Sequence, residues 1–164
     1  MHGRMTHCCG VVYVLKPGDH QAGVDGDSFK LTNHGHATFL IPFATLTGDG
    51  VLTVYSGATA GTKTTALTFA YRLSKADQGA AADADVYAQA DGTAGEATSA
   101  ALTLTAATYS DRVLVVEVRG RQLTDGHDWL TLEFSAAATA LNAAVIAVLS
   151  DARYMQRDQP TATA

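Results

Sequence analysis

Charge and aromatic mass are both scarce in this chain, and cysteine is nearly absent. Only 16% of the 164 residues are charged and 7% aromatic, yet 47% are hydrophobic, so Ala, Val and Leu carry the apolar content, with Thr and Gly filling much of the rest. That balance leans towards β structure. Eleven basic residues face sixteen acidic ones, for a net charge of -5. The Lys and Arg are scattered, so phosphate backbones are repelled and direct nucleic-acid binding is disfavoured. No apolar run approaches the roughly 18 residues of a membrane span. The start, "MHGRMTHCCG", lacks the long apolar core and small-residue cleavage site of a secretion signal. A soluble, unprocessed protein with no membrane partner is expected.

The two cysteines, Cys8 and Cys9, are adjacent. Neighbouring Cα atoms are held about 3.8 Å apart by the peptide bond, which forbids an ordinary disulfide between them. A vicinal pair can take a soft metal, but neither a second pair nor an HxxxH accompanies it. Cys8 and Cys9 therefore read as two small apolar residues near the start.

What the chain does have is a succession of strand-length apolar runs. They fall at Val11–Leu15, Ser28–Leu31, Ala37–Phe43, Val51–Tyr55, Ala66–Leu73, Ala101–Thr105, Val113–Val118, Trp129–Phe134 and Ala143–Leu149. Between them lie turn-rich stretches such as "KPGD", "GVDGD", "TGDG" and "RGRQLTDGHD". Strands with Gly/Asp punctuation and no convincing long helix indicate an all-β, single-domain protein, an antiparallel sandwich or barrel, with a β-sandwich or jelly-roll-like domain favoured. Residues 1–26 are expected to be an N-terminal arm contributing one strand, 27–155 the sandwich, and 156–164 a C-terminal tail. Arms of this kind are often ordered only against a neighbouring subunit. The segment 74–97 reads as a loop with a short strand at Val86–Ala88. The Ala-rich segment 135–154 could be helical, but its β-branched "AAVIAVLS" favours a strand.

Candidate chemistry is thin. In a strand, His34 and His36 project to one face and could supply two metal ligands. A site needs a third and fourth, and the other candidates, His127 with Asp128 or His20 with Asp19, lie in turns of unknown proximity. No GxSxG is present, and "TDGHDW" offers His and Asp without an obvious nucleophile. Glu117 and Glu133 each read as the outward residue of an alternating strand, paired across it with Arg112 or Arg119. The stretch "SGATAGTKTT", Ser56 to Thr65, lacks the spacing of a phosphate loop and precedes a strand rather than a helix. No catalytic, cofactor-binding or metal-binding residue is assigned, and no cofactor is expected.

Taken together, "GDSFKLTNHGHATFLI", "GTKTTALTFAYRLS", "GTAGEATSAALTL", "RVLVVEVRGRQLTDGHDWLTLEF" and "AVIAVLSDARYMQ" resemble a family of tailed-bacteriophage virion proteins of similar length. The resemblance spans about Gly26 to Gln156. Members are usually encoded near the major capsid gene. In that resemblance His36 matches a recurrent histidine before a buried strand, whereas His34 and Gly35 fall outside the pattern, and no catalytic residue transfers.

The family implies a structural role in the virion, made in the host cytoplasm, rather than an enzyme. The leading expectation is a capsid decoration, or cement, protein on the shell exterior, partnered by the major capsid protein and by its own copies, a homotrimer being favoured. The alternative is a head–tail connector, neck or tail adaptor. A second alternative, from another class, is a carbohydrate-binding or host-recognition module. Sugar recognition leans on exposed aromatics, and the single Trp129 starts an apolar-alternating strand that suits core or interface better.

Overall fold

Strand β4 (His34–Pro42) shows how this sequence makes a sheet. Ala37, Phe39 and Ile41 are fully buried, while Thr38, Leu40 and Pro42 turn the other way. Side chains alternate across an extended backbone, so "ATFLIP" puts every second residue into the core. The computed structural model describes residues 9–74, 96–152 and 163.

Besides β4, the strands are β1 (Gly10–Asp19), β2 (Val24–Asp25), β3 (Phe29–Lys30), β5 (Gly50–Gly57), β6 (Thr65–Ala66), β7 (Phe69–Leu73), β8 (Ala97–Ser99), β9 (Leu102–Leu104), β10 (Val113–Arg119), β11 (Trp129–Phe134) and β12 (Asn142–Ala152). One short helix, α1 (Ala106–Tyr109), and a 3-10 turn at Gly120–Gln122 complete the described elements. Sheet I runs β1-β12-β4-β10-β7-β8 and sheet II β2-β11-β5-β6, with β3 paired to β11 and β9 to β5. Every strand pairing is antiparallel.

The two sheets face each other across one core, so the antiparallel β-sandwich expected from the sequence is present. Sheet I contributes Phe39, Ile41, Leu114, Val116, Val145 and Leu149, and sheet II Leu52, Val54, Leu130, Leu132 and Phe134. Phe29 of β3 meets Phe39 of β4 at 5.7 Å between ring centroids. Phe43 bridges to Phe134 at 6.3 Å. Each such ring or Leu stabilises the fold by about 1.5–3 kcal/mol relative to exposure.

Several expectations are refined by these pairings. The run Ala66–Leu73 is two strands in different sheets: Ala66 closes β6, and Phe69 opens β7. "AAVIAVLS" is a strand inside β12, not a helix. The boundary at residue 26 does not separate an arm from the sandwich among the described residues. Val12, Val14 and Leu15 of β1 are in the core, and β1 pairs with β12 from Gly10↔Leu149 to Asp19↔Asn142. The anticipated strand at Val86–Ala88 lies outside the described residues, as does most of the expected tail. Thr163 of that tail forms an isolated bridge with Phe29.

Candidate interaction surface

The histidines that opened the chemical question have separate surroundings. His34 is fully buried, and among the described residues neither ring nitrogen has a hydrogen-bond partner. Burial holds its pKa below the ordinary histidine value, because a charged ring would lose its hydration. His36 is part-exposed: its Nδ1 lies 3.3 Å from Ser150 Oγ, and its Nε2 lies 3.7 Å from Glu117 Oε2. The expected cross-strand partner of Glu117 was an arginine; the register instead sets Arg119 opposite His36, and the imidazole reaches the carboxylate.

His20 and Asp19 tie the end of β1 to the start of β12. His20 Nε2 lies 3.2 Å from the carbonyl oxygens of Lys16 and Ala143, and Asp19 Oδ1 accepts from the backbone N–H of Gln21 and Leu141, each at 3.0 Å. His127 Nδ1 is 2.9 Å from the hydroxyl of fully buried Ser56, while Asp128 lies 3.9 Å from Lys30 Nζ. Among the described residues no three His, Cys, Asp or Glu side chains gather in a metal-binding group. Cys9 is half-buried, and Cys8 lies outside the described residues.

The stretch Ser56–Thr65, which lacks the spacing of a phosphate loop, covers the outer side of sheet II. Gly61 N–H donates to Ser28 Oγ at 3.0 Å, and Ser28 Oγ is 2.8 Å from Thr131 Oγ1. Lys63 Nζ donates to Asp25 at 2.9 Å and to Glu133 at 3.0 Å, passing 5.9 Å from the Tyr55 ring centroid. Those two carboxylates raise the Lys63 pKa. Lys63, not Arg112 or Arg119, is thus the partner of Glu133. The closure is tight, since Ser28 and Thr131 are buried although they stand outside the apolar core. Trp129 is half-buried, with Lys30 Nζ 5.4 Å from its ring centroid.

Sheet I presents the opposite case. Residues directly opposite one another in antiparallel strands share a face, and the register aligns Tyr13, Ile146, Leu40, Val115 and Arg72 in one outward row. The next row is Val11, Val148, Thr38, Glu117, Ala70 and Thr98. The half of this face towards β1 is apolar and the half towards β8 polar. Val11 is 61% exposed, Tyr13 56%, and Leu40 and Ile146 36% each. Two grooves of about 200 and 220 Å³ flank Ala70, below the usual range of small-molecule pockets.

The strands "VVYVL", "TFLIP" and "VIAVL" each bury one face and leave the other exposed or half-exposed, a surface that apolar runs alone do not single out. Their parity does. An antiparallel strand with one wet face alternates apolar and polar, whereas these runs are apolar at both parities.

The chain matches no protein-family model, and no curated protein and no solved structure is significantly similar to it. No helix among the described residues is long and apolar enough to cross a membrane.

Proposed function

We propose that this chain is a structural protein of a tailed-bacteriophage particle, a decoration protein that binds the outside of the capsid and stabilises it. The observation that carries the reading is the apolar half of the outer face of sheet I, Val11, Tyr13, Ile146 and Leu40. Exposed apolar patches bounded by polar residues are typical of protein interfaces. Here His36, Glu117 and Arg72 form such a border. The resemblance over about Gly26 to Gln156 supplies the setting, with the major capsid protein as partner.

The mechanism is binding. Each copy docks an apolar sheet face on the shell, and many modest contacts on a lattice sum through effective concentration. Bound copies stabilise the assembled shell over its dissociated subunits by mass action. The net charge of -5 suits the exterior better than contact with packaged DNA. The single Trp129 is not a bare platform for a sugar, since Lys30 lies beside its ring.

The test adds purified protein to shells that lack it and follows the temperature at which they rupture. Decoration raises that temperature until the lattice sites fill, and Leu40→Lys or Ile146→Lys abolishes the gain. Particles that carry only a single ring of this protein, or DNA-filled heads that fail to join tails without it, would replace decoration by the adaptor reading.

A further inference from the structure

Of the edges of the two sheets, one differs in kind. The β8 edge is the three-residue "ATS", and sheet II ends in the two-residue strands β2 and β6, with Asp25 in one and Lys63 just before the other. Short and charged edges are how sandwiches prevent unwanted strand pairing. At the other end of sheet I stands β1, ten residues long, and "GVVYVL" at its start carries no charge and no proline. Its later part is occupied, because Asp27 N–H donates to Val14 O at 2.8 Å and His20 Nε2 lies 3.2 Å from Lys16 O. Among the described residues nothing pairs with the outer edge of Gly10–Tyr13.

We infer that the Gly10–Tyr13 edge of β1 is a self-association site, where a second copy of this chain pairs its own β1 antiparallel to the first. A row of backbone N–H and C=O groups is satisfied by an extended strand, which sets the class of occupant. Charge selects a second copy. Two chains of net charge -5 repel over most of their surfaces, but Gly10–Gly18 holds no acid and one Lys, so this edge is where two copies approach without like charges meeting.

Side chains favour the same partner. Val11 and Tyr13 are the most exposed large apolar residues described, and both sit on this edge rather than mid-sheet. Antiparallel self-pairing sets them beside their counterparts, giving β-branched and aromatic cross-strand neighbours. The apolar faces of two copies would then join into one surface. Identical strands pairing antiparallel require a two-fold axis, so the three-fold ring expected from the family resemblance is not built through this edge. The inference does not rest on the virion reading, and its test needs no capsid.

Analytical ultracentrifugation of the full chain over a concentration series decides it. The expected result is a monomer–dimer equilibrium, weakened about tenfold or more by Val11→Lys or Tyr13→Lys, since a charge on a bare edge opposes pairing. Both positions are more than half exposed, and unchanged circular dichroism confirms that the variants fold. Leu40→Lys lies on the same face but away from the edge, and it leaves the dimer intact. Deletion of residues 2–8 also leaves it intact. A chain monomeric at every concentration, a dimer indifferent to both β1 variants, a dimer lost with Leu40→Lys (stacking of faces) or one lost with residues 2–8 would each overturn the inference.

Discussion

A single carbon added to Gly57 would collide with Thr62, striking both its backbone carbonyl and its side-chain oxygen. Gly57 ends β5, and Thr62 belongs to the loop that returns over the outer side of sheet II. Gly57→Ala is therefore expected to lower the unfolding free energy by about 1–3 kcal/mol, the usual cost of overpacking. Gly61→Ala is the companion variant. Gly61 has φ +74° and open space around it, so its cost is about 1–2 kcal/mol of left-handed backbone strain alone. Denaturant titration of both separates the mechanisms, because a larger residue at 57 worsens the collision while one at 61 changes little further.

His34 makes the fold sensitive to mild acid. Its folded pKa is lowered from 6.5 by burial, so below that value the unfolded chain takes up a proton that the folded chain resists. Its contribution to stability is full above pH 6.5 and is lost as the pH falls towards the lowered value. Denaturant midpoints measured from about pH 7.5 down to 5.5 should decline, and less steeply in His34→Leu, which has no ring to protonate. An identical slope in the two proteins would remove His34 as the cause.

Tyr109 is expected to ionise late for a tyrosine. Burial raises its pKa from 10.0 to about 12, Tyr71 adds to the rise, and Arg112 partly opposes it. Ultraviolet titration should resolve a late step that Tyr109→Phe deletes. The phenylalanine keeps the edge-on packing against Phe43, at 6.1 Å between centroids. Because the unfolded hydroxyl ionises first, the stability tied to this group falls as the pH rises through its unfolded value near 10.

The Lys63 bridge is expected to matter little at equilibrium, despite its two short bonds. Its partners are part-exposed, 48% for Asp25 and 27% for Glu133, and surface pairs of this kind are worth about 0–1 kcal/mol after screening. Lys63→Met should cost no more than that, and about 1 M salt should erase the difference by shortening the screening length.

The sandwich was legible because its strands are written in alternation and stopped by Gly and Asp. Each predicted run holds a strand, since burying "ATFLI" or "LTLEF" on one side leaves little choice of backbone. Shorter pieces escaped. Val24–Asp25 and Ala97–Ser99 carry too few residues for a period to register, and the break between Ala66 and Phe69 is a change of sheet inside one apolar run. The strand in "VVYVL" was legible, but its place in the core was not, because that depends on β12 pairing with it. The partner of Glu117 depended on register, which places His36 rather than Arg112 within reach. The uncovered face of sheet I was written in the sequence as apolar residues at both parities.

The pairing of β1 with β12 also has a temporal side. Among the described strands the earliest in sequence, β1, has its sheet neighbour in the latest, β12, and β4 and β10, which complete that sheet's centre, lie between them in sequence. Contacts of such long sequence separation form slowly, because the chain must close a large loop before the pairing returns any energy. Until β12 is made, "GVVYVL" lacks its sheet neighbour, and it stays open to pairing with a neighbouring nascent chain. Crowding more ribosomes onto each message brings neighbouring nascent chains closer during that window, so yield of folded protein should fall as the density of ribosomes per message rises.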